Sequence, residues 1–467
     1  MTVNCILAVD SNFGISREGV IPWSIPEDMA FFRNTTMNKI VVMGKNTYLS
    51  LPNKVKPLPG RLNCIISTTI QREDVPLNVL VFPSLNDCIK YFNKILPNEE
   101  IFIIGGSQLY NEAFKHKDLV NVYLTQINKD YNTDNFIEKS FLNRVHSNES
   151  CRVFENNGVI CTINKLTFEN NKEEQQYLDL LSNVIQKPIR DTRNATTFSD
   201  FGYTLEFNLS DRFPMLTTKR VYWRGVVEEL LFFLRGETDA SKLSAKKVKI
   251  WDPNTTREFL DNRNLKHYSI GDMGPMYGWN WRHFGAKYID KDTDYSNKGF
   301  DQLRDIIDKL ANDKTSRRIV MTAFDPSKVS EAVLPPCHSM VLQFYVEDNQ
   351  LSLQMYQRSS DSFLGLPFNI SQHALLLRLM CEISGLKPHR LKIVLGDVHV
   401  YESHLNAVKE QLNRCSYEFP KLDIINKYEG DFNDVDQKIK YLEGLKYEDF
   451  HISEYTCGST IKANMIA

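Results

Sequence analysis

The sequence predicts two domains in tandem, an α/β domain followed by an α+β domain, on three observations. The chain has 467 residues, more than one ordinary hydrophobic core accommodates. Its first third alternates short apolar runs with amphipathic stretches, the pattern of a mostly parallel sheet flanked by helices. A polar segment over 169–176, ENNKEEQQ, then separates this pattern from a remainder that mixes long helices with strands.

Taken in order, VNCILAV, KIVVMG, RLNCIIS, VLVF, IFIIGG and VYLTQI are continuous apolar runs, as expected of strands buried on both faces. Among them, SLNDCIKYFNKI places Leu85, Ile89 and Phe92 on one face of a helix. In RVFENNGVICTI, Asn157-Gly158 lies between two strand-like runs, so a hairpin there should add an antiparallel pair. The first domain is expected over 1–168, a short linker over 169–176 and the second domain over 177–467. The second opens with Tyr177, Leu180, Leu181, Val184 and Ile185 at helical spacing. It continues with helices (WRGVVEELLFFLRG, NISQHALLLRLMCEISG) and strands (RRIVMTAF, MVLQFYV, LSLQMYQ, RLKIVLGD), which implies a mixed sheet with helices.

Hydrophobic residues at 42% and charged residues at 24% describe a globular chain rather than a disordered one. A formal net charge of -2 argues against a general nucleic-acid binder. No apolar run approaches the roughly 20 residues that span a bilayer, and the first residues enter strand-like sequence without a leader, so a cytoplasmic location is expected. The nine cysteines form no C-x-x-C pair and read as free thiols of a reducing compartment. The histidines show no H-E-x-x-H or finger-like spacing, so no metal is expected.

In IPWSIPEDMAFFRN, Pro26 suits a first helical position and puts Asp28 in the first turn. Acids there commonly do no more than complement the helix dipole. Asp28, however, has Met29, Phe31 and Phe32 as neighbours, residues suited to wall an apolar slot. A lone carboxylate in such a slot suits a flat heterocycle with adjacent N–H donors. Together with ILAVDSNFGI, VVMGKNTYLSLP, PLPGRLNCIIS, IFIIGGSQLY and VYLTQI, this stretch makes the first domain resemble dihydrofolate reductase over almost its whole length. The resemblance implies that Asp28 binds the pteridine amidine edge and assists protonation of N5, supported by the Thr125 hydroxyl and a water near Trp23. It implies that Arg61 clamps the folate α-carboxylate with its planar fork, and that Leu7, Ala8, Met29, Phe32 and Ile104 line the ring pocket. NADPH is the implied cofactor, delivering hydride to C6 of dihydrofolate. Its contacts would fall at Ala8, at Gly44, Lys45, Asn46 and Thr47, at Ser67 and Thr68, and at Gly105, Gly106, Ser107, Gln108 and Tyr110. The two glycine junctions fit pyrophosphate binding through backbone N–H groups at helix starts. Where some reductases carry an arginine for the 2′-phosphate, Ser67 is followed by Thr68 and Thr69, which leaves Lys45 as the main positive charge.

In the second domain, Cys337 of LPPCHSM is expected between a strand ending at Phe324 and another starting near Met340. Two prolines fix the preceding turn and His338 follows. Arg358 in YQRSSDSF and Arg317 and Arg318 in TSRRIV supply guanidinium groups, which lower a thiol's pKa and suit a phosphorylated substrate. The other eight cysteines read as small buried hydrophobes. With FPMLTTKRVYWRGVVEELLFFLRG, IWDPNTTREFLDNR, GPMYGWNWRHFGAKY and GDVHVY, these motifs resemble thymidylate synthase over 174–467.

That resemblance implies that the Cys337 thiolate adds to C6 of deoxyuridylate (dUMP), whose C5 then attacks the methylene of 5,10-methylenetetrahydrofolate. The folate later donates hydride, completing the methyl group of dTMP. Arg358 and Ser359 would hold the phosphate, joined by Arg317 and Arg318 from the partner subunit of a homodimer formed through this domain. Asn369 would read the uracil edge, His399 and Tyr401 would bind the ribose 3′-hydroxyl, and His338 and Gln357 would complete the nucleotide pocket. Glu229, Tyr277 and Asp361 would organise waters and proton transfers, with Tyr277 placed for the C5 proton. Ile250, Trp251, Asn254, Leu364, Gly365 and Phe368, again with Asp361, would form the folate surface. In RDTRNATTFSDFG the glycines that follow the family's phosphate-loop arginine are missing, which removes backbone freedom. Counting back from Phe201-Gly202, Arg193 is the match, one residue short, and Arg190 is the alternative. Two other readings are a binding protein without turnover and a nucleotide hydroxymethylase. The joint presence of Asp28, Cys337, Arg358, Tyr277 and Asn369 opposes the first; against the second, which would act on cytosine or uracil, Asn369 in place of an aspartate favours uracil, and the resemblance implies methylation as the outcome.

Overall fold

The apolar runs of the first third become neighbouring strands of one sheet. In the computed structural model, which describes residues 1–192 and 195–466, that sheet has eight strands. From one edge they are Val79–Phe82, Leu62–Ile66, Ile40–Gly44, Glu100–Ile103, Thr2–Val9, Leu119–Ile127, Val159–Phe168 and Val145–Asn156. The first six run parallel and the last two antiparallel. Helices cover the parallel strands on both faces, so Val41, Val42 and Met43 are fully buried in succession. The hairpin forms at Asn157-Gly158, both with positive φ (49° and 77°), which matches the twist of the strands it joins. Leu85, Ile89 and Phe92 are buried along helix Leu85–Ile95, which Ser84 caps by accepting from the Asp87 N–H.

By its contacts the chain divides into one unit of Met1–Asn170 with Asn413–Cys415 and another of Asn171–Leu412 with Ser416–Ala467. Much of the segment expected as a linker, 169–176, is helix instead. Asn171 caps the helix Lys172–Val184 by accepting from the N–H groups of Glu173 and Glu174. Glu174 is fully buried, its carboxylate taking the backbone N–H and hydroxyl of both Thr217 and Thr218. A run of acids and amides reads as linker only while its hydrogen-bond partners are unknown.

The second unit is built on a mixed six-stranded sheet in the order Ile189–Asp191, Thr196–Asn208, Lys387–Tyr401, Gln350–Asp361, Val341–Glu347 and Val320–Met321. Only Gln350–Asp361 and Lys387–Tyr401 pair in parallel. Helix Gly365–Ser384 lies against these two strands and against helix Trp223–Leu234. It is buried on nearly all sides, its polar Asn369, Ser371, Gln372 and His373 included, and it ends at Gly385 in the left-handed conformation. The strand expected to reach Phe324 ends at Met321. Beyond it, the Thr322 N–H goes to the Gln302 side chain, the Ala323 N–H to the Ser339 carbonyl, and the Ala323 carbonyl accepts from Asn280. No helix among the described residues is long and apolar enough to cross a membrane.

Two candidate active sites

In the first unit, Asp28 is the third residue of helix Pro26–Thr36, which starts at Pro26. Half-buried, it receives the Thr125 hydroxyl at 2.6 Å. Burial raises the Asp28 carboxyl above the ordinary carboxylate range, and the Thr125 hydrogen bond opposes this in part. Thr125 is buried and pairs in register with Ala8 across the parallel strands. Leu7 is buried beside it, and Ile104 and Phe32 pack on the neighbouring cluster. Trp23 meets Tyr131 edge-on at 5.4 Å and packs with Ala8 against Ile25 and Cys161. Met29 is 60% exposed, so the surface it would offer a ring is uncovered, while Phe31 and Phe32 supply the packed apolar side chains of this helix. The Arg61 guanidinium lies over the Phe32 ring, 5.6 Å from its centre. Its Nε is buried without a hydrogen-bond partner, and burial together with the charge of Arg33 lowers its pKa. This cation fits an incoming carboxylate. Arg33 escaped the sequence reading, although it follows Met29 by one helical turn.

The two glycine junctions converge in this unit. The Gly44 N–H donates to the Gly105 carbonyl at 2.8 Å, and the Gly105-Gly106 peptide is cis. Gly105 has a φ of 121°, and a Cβ there would sit 3.4 Å from the Tyr110 ring and 3.5 Å from Thr47 Oγ1. Helices Lys45–Ser50 and Ser107–Ala113 start after Gly44 and Gly106 without a side-chain cap. Asn46, Thr47, Ser107 and Gln108 therefore present first-turn N–H groups with no capping oxygen. Lys45 Nζ donates to Thr69 Oγ1 at 2.9 Å, and Ser67 Oγ accepts from the Thr69 and Ile70 N–H groups. Lys45 thus reaches the Ser67-Thr68-Thr69 turn, where the sequence offered no arginine. Tyr110 is fixed by its hydroxyl donating to the Ile6 carbonyl at 2.7 Å.

In the second unit, Cys337 lies on a loop before strand Val341–Glu347. The Tyr277 hydroxyl is 3.5 Å from Cys337 Sγ and accepts from the Cys337 N–H at 3.1 Å. Arg358 donates its backbone N–H to the Cys337 carbonyl at 2.8 Å, and its guanidinium approaches the carbonyls of Pro335 and Pro336. The expected lowering of the thiol's pKa is not the net result. Burial raises the Cys337 thiol, and the Tyr277 hydrogen bond and the Arg358 charge pull against it without prevailing. Arg317 and Arg318 are exposed, and neither is among the causes of the thiol's shift within this chain. Arg190 lies 3.9 Å from Asp397, whereas Arg193 lies outside the described residues.

Tyr277 is buried at a positive φ of 45° and stacks between Phe233 and His338, which lie 4.8 and 4.5 Å away. Burial and the neighbouring thiol hold its hydroxyl far above the usual phenol range. Glu229 is buried too, with one oxygen taking Trp251 Nε1 and the other Gln372 Nε2, both at 2.7 Å. Burial lifts its pKa to about 7, against these two hydrogen bonds. Asp361 accepts from the Phe363 and Leu364 N–H groups. A Cβ on Gly365 would sit 3.7 Å from Asp361 and 3.9 Å from Asn369 Oδ1, so these three residues meet. Gln357 donates to Asn369 Oδ1 at 3.1 Å and to the Ser359 carbonyl at 3.2 Å, while its own Oε1 is buried without a donor. Asn254 Nδ2 is likewise buried and unpaired. His399 and Tyr401 are neighbouring rings 5.3 Å apart, with His399 Nδ1 2.8 Å from Asp397. Ile250, Trp251, Leu364 and Phe368 are partly buried apolar residues at the edge of the core, a surface suited to a planar ring.

Asp397, Gln372, Ser339 and His373 were missed. Asp397 shares the period-two face of His399 and Tyr401, and Gln372 and His373 are polar residues one turn beyond Asn369 on the buried helix Gly365–Ser384. Both signals were legible. Among the described residues there is no cluster of acids, histidines and cysteines that could hold a metal.

Family descriptions match both units: Dihydrofolate reductase over residues 2–167 and Thymidylate synthase over 175–467. A Bifunctional dihydrofolate reductase-thymidylate synthase of Paramecium tetraurelia is 38% identical over 475 residues, covering 99% of this chain and 98% of that one. The protein of that name from Zea mays is 38% identical with 90% of each chain covered. The one from Plasmodium chabaudi is 34% identical, with 92% of this chain and 84% of that one covered.

Proposed function

The chain belongs to the bifunctional dihydrofolate reductase–thymidylate synthase family, and from that premise we propose that Asp28 serves the reduction of 7,8-dihydrofolate and Cys337 the methylation of dUMP to dTMP. The reductase half rests on the Thr125–Asp28 hydrogen bond at 2.6 Å, in a pocket that raises the carboxyl's pKa. Asp28 accepts the adjacent N–H donors of the pteridine and relays a proton toward N5. Arg61, which has no anionic partner among the described residues, takes the folate α-carboxylate, and Leu7, Ala8, Phe32 and Ile104 keep water from the ring. The glycine junctions, Tyr110 and the Lys45–Thr69 pair fit NADPH, which supplies the hydride when bound.

The synthase half rests on the pairing of Cys337 with Tyr277 beside Arg358. Because burial raises the thiol's pKa, its ionisation accompanies attack rather than preceding it. Sulfur bonds to C6 of the uracil, and C5 becomes the carbon nucleophile that attacks the methylene of 5,10-methylenetetrahydrofolate. Tyr277 assists removal of the C5 proton, and Glu229, held by Trp251 and Gln372, orders the waters that carry protons. Hydride from the resulting tetrahydrofolate completes the methyl group, and the C6–sulfur bond breaks to release dTMP and dihydrofolate.

The synthase unit acts as a homodimer. Support comes from its sheet, where Phe201, Tyr345, Val341 and Tyr356 are exposed at 78%, 57%, 43% and 37%, apolar surface that a symmetric partner covers. Arg317 and Arg318 then complete the partner's phosphate site. Among the described residues Cys5, Cys64, Cys88, Cys151, Cys161, Cys337, Cys381 and Cys457 are free thiols, which supports a reducing compartment such as the cytoplasm. Two assays test the proposal. Dihydrofolate should be reduced at the expense of NADPH, and a fluorinated deoxyuridylate with methylenetetrahydrofolate should leave a covalent adduct on Cys337, seen by mass spectrometry. An adduct on another residue, or none, would overturn the synthase half.

A further inference from the structure

Next to Cys337 runs a buried chain of three polar side chains that the reaction above does not use. His373 lies one helical turn after Asn369, with its Nδ1 2.8 Å from the Asn369 carbonyl oxygen. Its Nε2 lies 2.8 Å from Ser339 Oγ, which in turn lies 3.0 Å from His338 Nδ1. His338, Ser339 and His373 are all buried.

Elementary valence fixes every hydrogen in this chain. A carbonyl only accepts, so the hydrogen of His373 is on Nδ1. In a neutral imidazole Nε2 then carries the lone pair, so Ser339 gives its single hydroxyl hydrogen to it. Ser339 Oγ has only acceptor capacity left, so His338 Nδ1 must donate. His338 Nε2 is therefore bare. Burial keeps both rings neutral, holding His373 at about 4 and His338 well below the usual imidazole value. The chain is also rigidly placed. Ser339 sits at a φ of 54°, unusual for a non-glycine residue, with its carbonyl accepting the Ala323 N–H at 3.0 Å. The His338 ring stacks on Tyr277 and stands nearly perpendicular to His373.

We propose that Ser339 and His373 are positioning residues of the synthase site, which lock His338 in the Nδ1–H tautomer and tie the helical turn of Asn369 to the Cys337 loop. His338 Nε2 is then an acceptor only. It can hold a water by its hydrogen but cannot protonate a substrate oxygen, so proton delivery falls to Tyr277 and Glu229. This inference rests on the synthase reading, yet the tautomer can be read without turnover.

Nitrogen-15 NMR of the full-length protein labelled at histidine, at pH 7, tests it. In the unsubstituted protein, His338 and His373 should each show a protonated Nδ1 and a bare Nε2. Ser339→Ala should release His338 into a mixture of tautomers and lower the synthase kcat about tenfold, the scale of one lost hydrogen bond, with KM for dUMP changed less than about twofold. His373→Gln keeps an N–H and an oxygen on one end and should preserve the His338 pattern, whereas His373→Phe should lose it. A hydrogen on His338 Nε2 in the unsubstituted protein would overturn the proposal, and that result needs no variant to fold. So would a His338 pattern unchanged in both Ser339→Ala and His373→Phe. The expected tautomers in a protein that does not methylate dUMP would uphold the lock and refute the reaction.

Discussion

The proposed sites at Asp28 and Cys337 differ in how their chemistry is distributed. Asp28 is a single carboxylate with a single side-chain partner, Thr125, and burial alone drives its shift upward. Cys337 shares its site with Tyr277, whose hydroxyl touches both its sulfur and its N–H. Glu229 is held separately at both oxygens, and Asn369 is held by Gln357. One site concentrates its function in a carboxyl and the apolar walls around it. The other spreads it over a network in which most members also fix a neighbour. A concentrated site should fail at one residue and tolerate change nearby, while a distributed site should show graded losses and strong coupling between positions.

The sharpest break is expected at the proposed nucleophile. Cys337→Ser should lower dTMP formation by on the order of 10^4- to 10^6-fold, the scale of losing a covalent nucleophile, with reductase rates near normal. Comparable loss in both activities would deny that the sites are separate. Asp28→Asn should lower the reductase kcat by on the order of 10^2- to 10^4-fold, the scale of one general acid or base, and leave NADPH binding by fluorescence titration intact. Near-normal reduction at neutral pH would remove Asp28 from the mechanism.

Glu229 probes the network through pH. Its folded pKa of about 7 lies above the ordinary value of 4.5. Its contribution to stability is thus fully present below pH 4.5 and is lost as pH rises through 7. The full shift corresponds to about 3 kcal/mol. Glu229→Gln, which has no such titration, should therefore gain on the unsubstituted protein in denaturant midpoint between pH 5 and 8. A constant difference across that range would mean that Glu229 is not buried against its charge. The smallest effect is expected from Thr125→Val. It removes the one hydrogen bond that lowers the Asp28 pKa, so the pH profile of dihydrofolate reduction should move upward, with a loss of about tenfold or less in kcat. A downward move would reverse the assigned role of Thr125.

The same contrast governs how much could be read from sequence. The parallel strands were legible because Val, Ile and Leu runs must be buried on both faces, and Asn157-Gly158 announced its hairpin through two positive φ angles. Asp28 was legible because Pro26 fixes the helix start and aromatic residues follow it. Residues whose meaning depends on distant partners were harder. Glu174 looked like linker because its four donors lie over forty residues away, on Thr217 and Thr218. The net shift of Cys337 depends on burial, which nearby arginines in the sequence do not reveal. Ser339 and His373 are 34 residues apart; His373 stands out as a polar residue on its helix, but its pairing with Ser339 is set only by the fold.

The central claim is that two complete and separable active sites share this chain. The most direct measurement follows NADPH oxidation and dTMP formation together, with dUMP, methylenetetrahydrofolate and NADPH supplied to the unsubstituted protein, to Asp28→Asn and to Cys337→Ser. The unsubstituted protein should oxidise one NADPH for each dTMP formed, because each methylation releases one dihydrofolate. Asp28→Asn should form dTMP while accumulating dihydrofolate, and Cys337→Ser should form none yet reduce added dihydrofolate normally. If either substitution abolished both reactions in a folded protein, or if dTMP appeared without Cys337, the account would be contradicted.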